Sequence, residues 1–363
     1  MYLSHKATKL RELNSKMKAL TFHGKQQVKY ESILDPVIVE PTDVIVKVKL
    51  CSICGSDLHA YDEREKGLDH GTAMGHEFTG EIVEKGVLVK LLRIGDQVMG
   101  PFTTSCGTCF YCKTGLTSRC IHGQLYGWIE KGKGLHGGQA EYVRVPLADS
   151  TLQKIPDGIS QEEGLMLGDI ISTGFFCAQQ AGIQPMNTYA VIGCGPVGLM
   201  TILGAREYGA EKIFAMDSVE ERLIMAKGFG AIPIHVSKQA PLEIIKDNTE
   251  GRGADAVMEA VGSQRAGQLA YDLIKGGTIS VVGVCSDPHF SFSPTQAYNK
   301  NLTLKVGRCP AKHFMNQLIP LVLKKKYDFT SILTHRMKLK EGREGYDIFA
   351  NKKDHCLKVV MEC

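Results

Sequence analysis

A glycine-rich hexapeptide, Gly-Cys-Gly-Pro-Val-Gly, begins at Gly193 and constrains the fold more than any other stretch. It follows the apolar, strand-like run 189–192 and precedes the helix-like run 199–208. In such a strand–turn–helix, the first glycine permits the tight turn, the second admits a pyrophosphate, and the third allows close packing. The helix N-terminus then faces the phosphates. The pattern predicts a dinucleotide site at Gly193, Gly195, Pro196, Val197 and Gly198.

Asp217 ends the next apolar run, 212–216, and bears on the choice of dinucleotide. A carboxylate there accepts hydrogen bonds from ribose hydroxyls and repels a 2′-phosphate, which favours NAD over NADP. Arg222 qualifies this preference, because its side chain could contact either the ribose or a phosphate. A second glycine turn, Val282-Gly283-Val284, either borders the nicotinamide or is an ordinary strand end.

Apolar strands alternate with helical stretches from about residue 171, which predicts βαβ units and a parallel sheet. Before that, short β-type runs separated by Gly and Pro predict an irregular β-rich domain, and the last fifty or so residues are expected to return to it. We therefore expect an α/β protein with a β-rich domain over 17–170 and 309–363, and a doubly wound domain over 171–308. The basic segment 1–16 is expected to be a flexible extension, with a mitochondrial presequence as the alternative.

Four cysteines within fifteen residues follow the spacing C-x2-C-x2-C-x7-C and lie at Cys106, Cys109, Cys112 and Cys120. Disulfides are disfavoured because the chain shows no secretory signal. Iron–sulfur ligation and unmetallated thiols stay open, although the late fourth cysteine does not fit the ferredoxin pattern. Four thiolates close a tetrahedral shell, so the cluster best fits a structural zinc ion.

A second group of metal-binding residue types lies at Cys54 and His76, each followed by polar neighbours. A catalytic zinc needs about three protein ligands and one exchangeable position. Asp169 is the best candidate for the third ligand, because it lies at the predicted boundary between the first and the second domain. Cys51 and Cys54 form a C-x-x-C pair, a redox motif in other settings, but we interpret Cys51 as a buried strand-end thiol.

Composition excludes several classes of protein. The chain has 363 residues, 43% of them hydrophobic, 23% charged and a net charge of +4, which argues against a dedicated nucleic-acid binder. It contains no run of about twenty apolar residues, so no membrane partner is expected. Twelve cysteines without signs of export indicate a reducing cytoplasm.

The ordered motifs together resemble the zinc-dependent medium-chain alcohol dehydrogenases over nearly all of residues 17–363. The matching motifs are C-G-S-D-x-H at 54–59, G-H-E at 75–77, the cysteine cluster, G-G-Q-A-E-Y at 137–142, D-x-x-x-T-G at 169–174 and G-x-G-P-V-G at 193–198. The resemblance implies a GroES-like catalytic domain and a Rossmann domain. Within the family, the chain looks similar to the branch of glutathione-independent formaldehyde dehydrogenases and bacterial alcohol dehydrogenases.

The resemblance also implies roles for individual residues. Two zinc ions are expected, with the catalytic one on Cys54, His76 and Asp169, and with Glu77 beside it and able to replace its water. Asp57 would orient His76, and Lys358 could lie near Glu77. A proton relay would run from Ser56 through the cofactor ribose to a surface histidine, His59. Thr173, Val282 and Val284 would border the nicotinamide, and Val261 and Gly283 would also contact the cofactor.

The implied activity is reversible hydride transfer between an alcohol, or an aldehyde hydrate, and NAD. An aldehyde dismutase with tightly held NAD, a polyol or threonine dehydrogenase, and a non-catalytic NAD-binding relative are the alternatives. The family forms dimers and tetramers, so a homo-oligomer is expected. The alcohol or aldehyde that serves as substrate is not specified by these motifs.

Overall fold

Two separate sheets contain most of the strands, and each belongs to its own part of the chain. The computed structural model describes residues 15–287 and 289–363. The described chain divides into two units, one formed by residues 15–169 together with Pro310–Cys363, the other by Ile170–Cys309. Most of the predicted extension 1–16 lies outside the described residues, whereas Lys16 already belongs to the first strand.

The strands are β1 (Lys16–Phe22), β2 (Val28–Leu34), β3 (Val44–Ile53), β4 (Phe78–Lys85), β5 (Gln97–Gly100), β6 (Trp128–Glu130), β7 (Lys133–Leu135), β8 (Tyr142–Val145), β9 (Gln153–Lys154), β10 (Thr188–Ile192), β11 (Lys212–Asp217), β12 (Ile232–His235), β13 (Ala254–Glu259), β14 (Ile274–Val281), β15 (Leu302–Val306), β16 (His335–Lys338) and β17 (Val359–Glu362).

The helices are α1 (Asp57–Tyr61), α2 (Phe110–Lys113), α3 (Ala148–Thr151), α4 (Gln161–Gly168), α5 (Ile170–Ala181), α6 (Pro196–Glu207), α7 (Glu220–Gly228), α8 (Pro241–Asp247), α9 (Gln264–Leu273), α10 (Pro294–Asn299), α11 (Ala311–Leu323) and α12 (Gly342–Ala350). Short 3₁₀ turns cover Thr117–Arg119, Phe329–Ile332, Leu339–Glu341 and Lys353–His355. None of the helices in the described part of the chain is both long and apolar enough to cross a bilayer.

Strand β3 organises the sheet of the first unit. Its sequence, VIVKVKLCSI, is rich in β-branched residues that suit a pleated surface, and its two lysines are its only exposed residues. The sheet runs β16-β17-β3-β4-β5-β9, and β8 also pairs with β3. Strand β8 takes the first half of one edge of β3 and β17 takes the second half, so one strand holds three neighbours.

The register of these pairs gathers three chain segments at one end of the sheet. Ile53, the last residue of β3, lies opposite Val359, the first residue of β17. Phe78, the first residue of β4, lies opposite Cys51. The residues just after β3, just before β4 and just before β17 therefore meet, although they are far apart in the sequence.

The second unit contains a six-stranded parallel sheet in the order β12-β11-β10-β13-β14-β15. Counted from β10, this is the 3-2-1-4-5-6 order of doubly wound dinucleotide-binding folds, whose ligands bind at the carboxyl ends of the strands where the order reverses. The reversal falls between β10 and β13. All five residues of β10 are buried, as expected for a strand covered on both faces. The predicted α/β class with a parallel sheet is confirmed.

Two predicted boundaries differ from the structure. The second glycine turn is not part of a strand, because the chain leaves the sheet after Val281 and Val282, Gly283 and Val284 lie beyond β14. The helix predicted over 199–208 begins earlier, at Pro196, because Gly195 is its N-cap and proline suits the first helical position.

Candidate active site and metal centres

Four buried metal-binding side chains come together in the first unit: Cys54, His76, Glu77 and Asp169. One ligand atom from each lies within 4.8 Å of the others. Cys54 Sγ is 3.5 Å from Asp169 Oδ2, and His76 Nε2 is 3.3 Å from the same oxygen. The end of β3, the start of β4 and the end of α4 supply these residues, so three segments build one cluster.

Asp57 and its partners orient the histidine of this cluster. Its carboxylate lies 3.1 Å from His76 Nδ1 and accepts a hydrogen bond of 2.9 Å from the backbone N–H of Cys54. Gln139 Nε2 donates to the same carboxylate at 3.2 Å, and Tyr346 donates to Gln139 Oε1 at 2.9 Å. With Nδ1 engaged in this way, Nε2 faces the other three side chains. Such partners fix the tautomer of a metal-bound imidazole.

The backbone at position 75, just before His76 and Glu77, requires a glycine. Its φ is +85°, and a Cβ there would lie 2.4 Å from Cγ of Gln139. The roles of Gln139 and Tyr346 escaped the sequence analysis. Gln139 belongs to the G-G-Q-A-E-Y motif at 137–142, which could have singled it out as a site residue. No sequence motif includes Tyr346.

Glu77 forms a buried ion pair with Lys358. Lys358 Nζ lies 2.5 Å from Glu77 Oε2 and donates to the Ile53 carbonyl at 3.0 Å, and Ser52 Oγ also donates to Oε2. The second carboxylate oxygen, Oε1, is buried and has no hydrogen-bond partner. Since a buried oxygen without a partner is costly, this atom points to a ligand that the cluster is built to accept.

The pKa shifts show how strongly the cluster attracts positive charge. Burial raises the pKa of the Cys54 thiol, and the carboxylates of Glu77 and Asp169 raise it further. Burial alone would lower the pKa of His76, but the charge of Asp57 and a hydrogen bond with Asp169 raise it well above its usual value. Burial also raises the pKa of Glu77, against the effect of Lys358. A cation binding here would replace protons. The donor set of sulfur, nitrogen and oxygen fits zinc.

Ser56 and His59 occupy different environments near this cluster. Ser56 Oγ lies 3.2 Å from His76 Nε2, within reach of a ligand held by the cluster. His59 is in α1 and is only 7% exposed, so the expectation of a surface histidine is wrong. Helix α1 is a short turn that follows Cys54, and its packing covers the imidazole. Burial, reinforced by the charge of Arg64, lowers the pKa of His59.

The cysteine lobe forms a second group of potential metal ligands. The sulfur atoms of Cys106, Cys109, Cys112 and Cys120 lie within 4.8 Å of one another, and all twelve cysteines are free. The backbone N–H of Cys109 donates to Cys106 Sγ at 3.4 Å, and that of Cys106 to Cys120 Sγ at 3.2 Å. Burial opposes ionisation of Cys106, but hydrogen bonds from Thr108 and Cys109 lower its pKa to about 6. Four clustered sulfurs with N–H donors fit a closed zinc shell.

The glycine turn in the second unit has the shape that its motif predicts. Gly193 has φ +89°, and a Cβ on Gly198 would lie 1.7 Å from the Gly193 carbonyl oxygen. Gly195 caps α6, and a Cβ there would meet nothing nearer than Arg222 Nη1 at 3.6 Å. The turn is therefore tight at both ends and open in the middle, where a phosphate would approach the backbone.

Asp217 lies at the carboxyl end of β11, beside this turn. Its Oδ2 accepts from the N–H of Cys194 at 2.8 Å, and its Oδ1 accepts from Ser218 and Val219 at 2.7 and 3.0 Å. Arg222 Nη1 is 3.8 Å from Oδ2. These bonds hold the carboxylate in one position, where it could accept from a ribose hydroxyl.

Glu259 is a buried carboxylate at the edge of the sheet where a dinucleotide is expected, and the sequence analysis did not single it out. It ends β13 at the point where the strand order reverses, is 2% exposed, and accepts from the N–H groups of Val261 and Gly262 at 2.7 and 2.9 Å. Burial raises its pKa, which these two donors partly offset. A Cβ on Gly283 would lie 2.8 Å from Glu259 Oε2. The signal in the sequence was an acidic residue directly after the apolar run 256–258.

The other predicted cofactor contacts all lie in the second unit. Thr173 is buried in α5, while Val261 and Val284 are about half exposed on loops after β13 and β14. Their assignment to the cofactor stays a prediction.

Comparisons with known proteins agree with this architecture. A family described as "Alcohol dehydrogenase GroES-like domain" matches residues 40–157, and one described as "Zinc-binding dehydrogenase" matches 196–324. The chain is 39% identical over 354 residues to zinc-type alcohol dehydrogenase B of Aspergillus flavus, covering 95% of this chain and 81% of that protein. It is 46% identical over 294 residues to the medium chain reductase/dehydrogenase ucsI of Acremonium sp, covering 78% of this chain and 98% of that protein.

Among solved structures, alcohol dehydrogenase TADH from Thermus sp. ATN1 matches with a TM-score of 0.89 and 36% identity, covering 95% of this chain and 99% of that one. These likenesses confirm the predicted GroES-like and Rossmann fold class, and the match to a zinc-binding dehydrogenase family agrees with the predicted zinc. The chain is thus an oxidoreductase acting on alcohols, and it belongs to the zinc-dependent medium-chain alcohol dehydrogenase family.

Proposed function

We propose that this enzyme reversibly oxidises a small alcohol to an aldehyde or ketone with NAD, using a zinc ion held by Cys54, His76 and Asp169. The observation that carries this proposal is the buried cluster of sulfur, nitrogen and carboxylate donors, in which Glu77 Oε1 has no partner. We further propose that Cys106, Cys109, Cys112 and Cys120 hold a second, structural zinc ion.

The cofactors would supply the electrophilic part of the chemistry: zinc a Lewis acid that acidifies the alcohol, and the nicotinamide a hydride acceptor. The protein's own side chains handle the proton. Ser56 Oγ, 3.2 Å from His76 Nε2, is placed to accept it from the alcohol. His59 would pass it on, and its lowered pKa favours release of the proton over retention. Lys358 would balance Glu77 while Oε1 stays available to the metal.

The zinc assignment predicts metal content directly. Wild-type protein should contain about two zinc ions per chain, and Cys54→Ala or Asp169→Ala should retain about one, because a three-ligand site that loses one ligand binds weakly. Cys112→Ala should lose the other ion. Cys285→Ser is the matched control, since this exposed cysteine lies outside both clusters. Elemental analysis that still finds two ions in the Cys54 and Asp169 variants would refute the catalytic site.

We propose NAD rather than NADP as the cofactor, because Asp217 presents a fixed carboxylate beside the glycine turn. Asp217→Ala should lower the ratio of kcat/KM with NAD to that with NADP by about tenfold or more, since the repulsion of a 2′-phosphate is lost. Glu220→Gln is the matched control, because it removes an exposed acidic group close by. Steady-state kinetics with both cofactors test this, and an unchanged ratio would show that Asp217 does not set the choice.

The proton relay makes a separate prediction. Ser56→Ala should lower kcat for alcohol oxidation by about 100-fold, a usual loss for one acid–base group. Zinc content should stay at the wild-type value, because the serine is not one of the proposed ligands. Ser56→Thr, which keeps the hydroxyl, should recover most of the rate. Wild-type turnover by the alanine variant would remove Ser56 from the mechanism.

We also propose that the enzyme is a homo-oligomer, a dimer or a tetramer. Among the described strands, β15 pairs with β14 alone and ends its sheet, and Phe290, Tyr298 and Val306 nearby are at least 60% exposed. An open edge flanked by apolar side chains is a usual site of self-association. Light scattering should give a multiple of the 39.8 kDa chain mass, and a single-chain mass at micromolar concentration would contradict this.

The free state of all twelve cysteines supports a reducing compartment, so we propose that the enzyme works in the cytoplasm. Cell fractionation that places it in an exported fraction would contradict this location.

A further inference from the structure

Two cysteines outside both metal clusters face each other across a strand pair. Cys51 lies in β3 and is fully buried, and its Sγ is 3.5 Å from Sγ of Cys363, which is exposed. In the antiparallel register of β17 and β3, Met361 lies opposite Cys51, and the N–H of Cys363 donates to the Lys49 carbonyl. Cys363 is thus two residues beyond Met361, on the same face as Cys51, which makes the two cysteines diagonal neighbours.

The other sulfur near Cys51 in sequence is engaged elsewhere. Cys54, the second cysteine of the C-x-x-C pair, contacts Asp169 in the buried cluster. Cys51 is a buried thiol near the end of β3, as interpreted from the sequence, and its sulfur neighbour Cys363 lies 312 residues away in the chain.

We propose that Cys51 and Cys363 are an oxidation site, at which hydroperoxides convert the thiol pair into a reversible disulfide. A disulfide has an S–S distance of about 2.05 Å, so closure from 3.5 Å needs a movement of about 1.5 Å. The exposed position of Cys363, beyond the last paired residue of β17, allows that movement.

The chemistry divides between the exposed and the buried thiol. The Cys363 thiolate attacks the O–O bond of the hydroperoxide, which forms a sulfenic acid and releases water or an alcohol. The Cys51 thiol then loses its proton and attacks that sulfur, which forms the S–S bond and expels water. Two thiols lose two electrons in total, and the peroxide gains them. A dithiol reductant reverses the change.

The link would join two strands that serve the buried cluster. Cys54 follows β3 directly, and Lys358, the partner of Glu77, precedes β17. A disulfide between β17 and β3 would restrain the segments that carry Cys54 and Lys358. Because a cross-link also restricts the unfolded chain, oxidised protein should unfold at a higher temperature than reduced protein.

The test uses zinc-loaded, full-length protein treated with hydrogen peroxide, alkylated in denaturant and digested without reductant. Mass spectrometry should find the peptides of Cys51 and Cys363 joined, at about 2 Da below their summed mass, and dithiothreitol should separate them. Cys363→Ser should abolish the linked species and leave Cys51 alkylated. Cys285→Ser removes a different exposed thiol and should leave the link intact.

Other products would overturn the proposal. Alkylated Cys51 together with Cys363 as a sulfinic or sulfonic acid would show that the buried thiol does not react. Linkage of Cys363 to a different cysteine would also overturn the proposal. So would unchanged Cys51 and Cys363 at a peroxide concentration that oxidises Cys285. Because the readout is a covalent map, it is independent of whether the proposed alcohol chemistry is correct.

Discussion

The pairing of β17 with β3 is the contact on which the chemistry of the first unit depends. It places Lys358, from the C-terminal segment, against Glu77, which lies 281 residues earlier. The same register ends β3 at Ile53, so that Cys54 emerges beside the start of β4. Without this pairing, Glu77 would be a buried carboxylate with no counter-charge. Breaking such a buried pair costs about 3–5 kcal/mol.

The buried cluster carries more acidic than basic side chains, and bound protons reduce this excess of negative charge. Asp57, Glu77 and Asp169 lie close together with Cys54, and Lys358 is the single buried lysine or arginine side chain beside them in the described chain. Raised pKa values for Cys54, His76 and Glu77 show that the cluster retains protons at the expense of negative charge. A divalent cation held here would relieve the same excess more completely, which would couple the folding of this region to metal binding.

Local patterns in the sequence predicted much of this molecule. The glycine turn, the carboxylate that ends β11 and the four-cysteine spacing each depend on residues close together in the chain, so their geometry could be anticipated. The parallel sheet followed from apolar runs of strand length.

The parts that escaped prediction depend on contacts between distant segments. Tyr346 donates to Gln139, which is 207 residues away, and Gln139 donates to Asp57. No local sequence pattern marks these two hydrogen bonds. The burial of His59 reflects the packing of a five-residue helix rather than its sequence. Glu259 was missed because a strand-ending acid looks like a surface residue until the strand order is known. Register between strands therefore decided what the motifs left open.

Anomalous X-ray scattering at the zinc absorption edge tests the central claim most directly, because it locates the metal rather than counting it. We predict two peaks per chain, one among the four lobe cysteines and one about 2.0–2.3 Å from Cys54 Sγ, His76 Nε2 and an Asp169 oxygen. A lone peak in the lobe, or a second peak that does not contact these three side chains, would contradict the account.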